Sequence, residues 1–177
     1  MSKVIYGWKD LRMAMLSGRL GTVNFPNLAS FGPTGVIEQL AFDVGDLVYV
    51  AGHVDHDIRK DSMMHPHVHW TTDGTNVQSV KWQITYSGAA RENQEAFPTD
   101  TIVSVEEAAT GVAWSHMVTE DVIGFAALPI DALWIAEIKR VSNGATNNTD
   151  TVFGMFVDLH YEVQQFATPF KEPPFYG

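Results

Sequence analysis

The run Met64-His65-Pro66-His67-Val68-His69-Trp70 gathers three of the seven histidines of the chain. On an extended strand, side chains alternate between faces. His65, His67 and His69 then share one face, and Pro66, Val68 and Trp70 share the other. Neutral imidazole is a common metal ligand, so three rings on one face invite a metal reading. Geometry limits it. Positions i and i+2 lie about 6.7 Å apart and can converge on one ion; positions i and i+4 lie about 13 Å apart and cannot. The strip therefore offers at most a pair, and a third ligand must come from elsewhere. His160, in Asp158-Leu159-His160-Tyr161-Glu162, is the first candidate, followed by Asp73, His53 and His56. The candidate metal set is thus His65, His67, His69 and His160. Three readings stay open: a polar strip bonded to carboxylates and backbone, a structural divalent metal joining strands or subunits, and a catalytic metal. The expected role is structural.

Other chemistries can be weighed on spacing. His67-Val68-His69 followed by Asp73 resembles the first motif of cupins, which implies a metal-dependent enzyme using His67 and His69. The acid here lies in an Asp-Gly turn, Val80 and Lys81 stand where that motif has a glycine, and no Pro-x-Gly precedes His160. There is no G-x-S-x-G, no phosphate-binding glycine loop and no H-E-x-x-H. Glu106-Glu107 with Glu120-Asp121 could do acid/base work, but a solvated rim explains them. Trp70, Trp82, Trp114 and Trp134 could form a sugar platform, but their place on strand segments favours a core. No catalytic or cofactor-binding residue is assigned, and a non-enzymatic protein is expected.

The elements that must position these residues read mostly as strands. Val77 to Tyr86 alternates cleanly, with Val80, Trp82, Ile84 and Tyr86 on the apolar face. Ala132 to Arg140 does the same through Trp134, Ala136 and Ile138. In Thr151 to Val163, one face reads Phe153, Met155, Val157, Leu159 and Tyr161. Val36–Phe42, Leu47–His53, His65–Trp70, Thr101–Val105 and Asp121–Leu128 complete eight strands, separated by turn signals such as Asp73-Gly74 and Asn143-Gly144. This predicts an all-β, antiparallel sandwich of jelly-roll type over residues 36–166. Residues 1–35 are expected to form an N-terminal arm with a short helix near 8–17, because Leu11, Met15 and Leu16/Leu20 recur at helical spacing. Residues 167–177 are expected to lie as an extended C-terminal tail.

Composition sets outer bounds. The chain has 177 residues, enough for one full core, and 45% of them are hydrophobic, which excludes a disordered class. Lys plus Arg number 11 against 21 Asp plus Glu, a formal charge of −10, so a nucleic-acid partner is unlikely on electrostatic grounds. Zero cysteines exclude disulfides and thiolate sites. No apolar run is long enough to span a membrane and the first residues carry no signal-peptide core, so no membrane partner and no secretion are expected.

The run His53 to Trp70 (HVDHDIRKDSMMHPHVHW), the strand Val80 to Tyr86, and Phe156 to Glu162 (FVDLHYE) together resemble uncharacterised structural proteins of tailed bacteriophages, over roughly residues 36–166. That resemblance implies a virion component, a tail part or a capsid decoration, made in the host cytoplasm. Its partners would be other virion proteins and itself, as a homotrimer or higher assembly. It transfers no catalytic residue. Besides the cupin reading, a glycan-binding module at the host-contacting end of a tail is the alternative function.

Overall fold

The computed structural model describes residues 7–90 and 94–163. Among these, twelve strands form two antiparallel sheets. The first sheet holds β1 (Gly7–Ala14), β3 (Asn27–Phe31), β4 (Ile37–Phe42), β6 (Met63–Thr72), β9 (Met117–Glu120), β10 (Phe125–Ala126) and β12 (Val152–Val163). The second holds β2 (Arg19–Leu20), β5 (Leu47–His53), β7 (Ser79–Ala89), β8 (Thr101–Ala108) and β11 (Leu133–Val141). From β4 onward the chain passes between sheets so that β4-β12-β6-β9 face β5-β11-β7-β8. This is the strand order of a jelly roll.

Alternation drives the packing. Val80, Trp82 and Ile84 from β7 and Trp134, Ala136 and Ile138 from β11 are buried against Val68, Trp70, Val157 and Leu159 of the other sheet. Trp70, Trp82 and Trp134 are therefore core, as their strand positions predict. The Trp70 indole N–H donates to Thr119 Oγ1 at 2.7 Å, and that hydroxyl donates in turn to Glu107 Oε2 at 3.1 Å, a polar link between the sheets. At the far end, the buried Arg140 guanidinium donates to the carbonyls of Phe42 and Asn148, each at 2.6 Å.

Three sequence expectations change. The segment read as a helix near 8–17 is strand β1, followed only by a 3-10 turn at Met15–Ser17. Leu11 and Met13 have the period of 2 that a strand needs, and β1 runs along the edge of β12, from Gly7 opposite Val163 to Ala14 opposite Phe156. That ladder supplies hydrogen bonds that a short isolated helix would lack. Residues 7–31 are accordingly not an arm: β1 and β3 extend the first sheet and β2 the second. The expected tail at 167–177 lies outside the described residues. Second, Asp121–Leu128 is not one strand. A turn with Gly124 at φ +69° separates β9 from β10, and a Cβ there would come within 2.8 Å of the His65 ring. Third, β12 carries a β-bulge. Gly154 faces Trp70 and Phe156 faces His69, leaving Met155 unopposed. Phe153 therefore points to the outer face, opposite Thr71, while Val157, Leu159 and Tyr161 point inward.

β1 is held at its start by a polar clasp. Lys9 Nζ donates to Asp55 Oδ2 at 2.6 Å and Asp57 Oδ2 at 3.2 Å, on the loop after β5. The bond to Asp55 is the main reason that the Lys9 ammonium holds its proton more tightly than usual. The Tyr161 hydroxyl lies 3.4–3.5 Å from the same two carboxylates. Its pKa is pushed up to about 12, first by burial and then by the charge of Asp57.

Two outcomes test this architecture. Deleting residues 1–14 strips the edge of β12 and the inward Leu11 and Met13, so cooperative thermal unfolding should be lost; an arm would leave the melt intact. A tyrosine ionises near pH 10 in the unfolded chain but near 12 when folded, so the contribution of Tyr161 is complete below pH 10 and is lost as pH rises toward 12. Urea unfolding should show stability falling through that window by roughly 2–3 kcal/mol more in the parent than in Tyr161→Phe.

Candidate functional site on the outer face of the first sheet

The bulge and the register of four strands set out a polar face in rows. In one row Asp10 of β1, His160 of β12 and His65 of β6 lie side by side. In the next, Arg12, Asp158, His67 and Glu120 of β9 follow in order. In the third stand Ala14, Phe156, His69 and Val118. Trp8 opens the face, 54% exposed.

Contacts cross these rows. The His160 Nδ1–H donates to Asp10 Oδ1 at 2.6 Å. The Trp8 ring stacks on His160 at 4.8 Å and 17°, and His160 stacks on His67 at 5.2 Å and 18°. Three flat rings thus form one pile, with the indole at its open end. One donor atom from each of Asp10, His67 and His160 lies within 4.8 Å of the other two. His67 Nε2 is 3.1 Å from Glu120 Oε1 but is not aligned for a hydrogen bond.

Beneath the pile lies a buried carboxylate. Asp158 is 1% exposed, with His69 Nε2 at 3.3 Å and Arg12 Nε at 3.6 Å from its Oδ2, while its Oδ1 has no hydrogen-bond partner among the described residues. The Arg12 guanidinium also sits 5.0 Å above the Phe156 ring. His69 Nδ1 meets His116 Nε2 at 2.8 Å, so one of these rings donates and the other accepts. The pKa of His116 is lowered, first by loss of water and second by the neighbouring His69.

The candidate metal set is therefore redistributed. His67 and His160 converge, and Asp10 joins them. His65 does not: its Nδ1–H donates to the Asp121 carbonyl at 3.0 Å, toward the turn at Gly124. His69 does not join that group either: its Nδ1 meets His116 Nε2, and its Nε2 lies 3.3 Å from Asp158 Oδ2 without the alignment of a hydrogen bond. His53 and His56 lie elsewhere, at 3.3 Å and 2.6 Å from Asp131 Oδ1. Asp73 accepts the Thr151 N–H at 2.9 Å in its turn and does not serve as the acid of a cupin site. Glu106 accepts from Asn143 and Glu107 from Thr119, so the acidic pairs are divided among separate contacts. Trp114, the remaining platform candidate, packs on Phe31 and Phe153.

Trp8, Asp10, Arg12 and His116 were not singled out by sequence reasoning. The first three sit at even positions of β1 and point outward, while Leu11 and Met13 point inward. That alternation was the available signal, obscured by the competing helical spacing.

Beside this face, where β1 approaches β2 and β5, a groove of about 790 Å³ is lined by residues including Arg12, Ser17, Arg19, Leu20, Tyr49 and Ile135. Arg12 borders both the groove and the polar face.

No protein-family model matches the sequence, and no curated protein matches it. Solved structures with a similar backbone course include the carbohydrate-binding module CBM36 in complex with calcium and xylotriose, at 9% identity and a TM-score of 0.45 over 84% of this chain and 98% of that one. A CBM35 from Cellvibrio japonicus Abf62 is similar at 11% identity and a TM-score of 0.44, over 88% and 93% of the two chains. A family 6 module from Clostridium cellulolyticum in complex with xylose is similar at 11% identity and a TM-score of 0.39, over 88% and 96%. The likeness is one of backbone architecture.

Proposed function

We propose that this chain is a non-enzymatic glycan-binding module whose binding surface is the outer face of the first sheet around Trp8. The observation that carries this reading is the indole itself. It is more than half exposed, yet held flat against His160 on a paired strand. A rigid exposed aromatic ring loses little entropy when it covers an apolar surface, and the C–H face of a pyranose is such a surface. Asp10, Arg12 and Glu120 surround the stack with groups able to bond sugar hydroxyls, and the groove at Arg12 and Tyr49 extends the surface along β1. The net charge of −10 disfavours polyanions, so the ligand class is a neutral glycan. Arrayed neutral and acidic polysaccharides should retain the protein on neutral members. Trp8→Ala should weaken binding by roughly 2 kcal/mol or more while the melting midpoint holds. An array without signal, or a Trp8→Ala protein that binds like the parent, would overturn the reading.

A second reading is the structural role in a bacteriophage particle that the sequence resemblance implies; it requires self-association, for which one sheet edge is suited. The hairpin of β3 and β4 leaves β3 as the free edge of the first sheet, with Leu28, Val36 and Ile37 at 56%, 83% and 65% exposure. An apolar open edge is a surface for another chain. Under this reading copies of the chain join through that edge, and the glycan-binding face is carried on a particle. Native mass measurement should then show an oligomer that Leu28→Glu with Ile37→Glu converts to monomer; a monomeric parent would remove it.

A further inference from the structure

We infer that Asp10, His67 and His160 form a zinc site that clips β1, β12 and β6 together on the outer face of the first sheet. This holds whether or not Trp8 meets a sugar.

The donor chemistry comes first. Two imidazoles and one carboxylate suit a borderline ion such as zinc and fit calcium or magnesium poorly, since those take oxygen ligands. The donors come from three adjacent paired strands and not from a loop, so the backbone ladders already fix their spacing. Their atoms lie within 4.8 Å of one another, and Asp10 and His160 are already at 2.6 Å. A tetrahedral ion with bonds of about 2.0–2.2 Å needs its ligand atoms roughly 3.3 Å apart. Turning the His67 and His160 rings out of their parallel stack would bring both lone pairs onto one ion with no change of strand register.

A second observation points the same way. Among the described residues, His67 Nε2 is buried without a hydrogen-bond partner, as are His69 Nε2 and one oxygen of the adjacent Asp158. Buried polar atoms are nearly always satisfied, and each orphan costs free energy. A cation held by His67 would supply positive charge near the buried carboxylate of Asp158, which among the described residues has His69 Nε2 at 3.3 Å, not aligned for a hydrogen bond, and Arg12 Nε at 3.6 Å. Glu120, 3.1 Å from His67 Nε2, stands outside the three-donor group. It adds negative charge beside the ion; a carboxylate that orients a metal-bound histidine bonds the other ring nitrogen, and Glu120 faces the one left for zinc. Three protein ligands leave the fourth position to water on the solvent side. Because Trp8 stacks on His160, the ion also fixes the base of the ring pile.

The strip alone could not have shown this site. It takes one residue from His65-Pro66-His67-Val68-His69, one from the last strand, and one from a strand that was read as a helix.

The test uses zinc chloride titrated into the metal-free full chain, followed by calorimetry, with zinc counted by elemental analysis after dialysis. The expected result is one zinc per chain and a raised melting midpoint reversed by chelator. His67→Gln and His160→Gln should each abolish the heat, and Asp10→Asn should weaken binding at least about tenfold. His65→Gln, outside the cluster, should bind as the parent does. Unchanged near-ultraviolet circular dichroism in the variants separates loss of a ligand from loss of fold. Cobalt added in place of zinc should give the visible absorption of a tetrahedral site in the parent and in His65→Gln only. The proposal falls if the parent takes up no zinc, or if binding survives His67→Gln and His160→Gln. It falls equally if binding is lost in His56→Gln instead, which would send the ion to the histidines at Asp131.

Discussion

One extra residue in the last strand sets the chemistry of this protein. Met155 has no partner on β6, and the register shift around it turns every later residue of β12 over. Before the bulge Phe153 points outward; after it Asp158 and His160 do, beside His67 and His65. The same shift sends Val157, Leu159 and Tyr161 into the core. Without the bulge the period of 2 would place those three apolar side chains in water and the carboxylate and imidazole between the sheets. The backbone at this point is crowded. A Cβ on Gly154 would stand 2.7 Å from both Met15 Sδ and a Phe42 ring carbon, so the strand bends where only glycine fits without a shift. Core and polar face thus depend on one local irregularity.

Much of the sandwich was legible because the central strands are unambiguous. Val80, Trp82, Ile84, Trp134, Ala136 and Ile138 alternate without interruption, and all are buried. The His65, His67 and His69 strip was legible for the same reason. What lay beyond reach was pairing between distant segments. Nothing local distinguishes β1 from a short helix, since Leu11, Met13 and Met15 keep a period of 2 while Leu11, Met15 and Leu16 keep helical spacing. Only the unfilled edge of β12 decides between them, and that edge lies about 150 residues away in sequence. The bulge was hidden because Phe153, Met155, Val157, Leu159 and Tyr161 look like one continuous apolar face. A register shift inside an alternating run of hydrophobic residues leaves no mark in the pattern itself.

The polar face consequently differs in composition from the one the histidine run suggests. Two of its three histidines serve their surroundings: His65 ties down the turn at Gly124, and His69 joins Asp158 to His116. The convergent group draws on three strands, and its aromatic end comes from Trp8. The indole that faces solvent is thus the one outside the set weighed as a sugar platform, while Trp70, Trp82 and Trp134 fill the core, as their strand positions predict.

The first half of β1 is exposed on one side and paired on the other, whereas Met13 is anchored in the core. Such a strand end can open without unfolding the sandwich, at a free energy well below the global one. Trp8 and Asp10 belong to that end, so any ligand of this face engages only the molecules in which it is closed, and its apparent affinity is scaled by that fraction. The clasp of Lys9 on Asp55 and Asp57 sets the fraction, and it is an exposed ion pair that salt screens. Ionic strength therefore acts on the docking of this strand end, and so on the outer face, from the opposite side of the sheet.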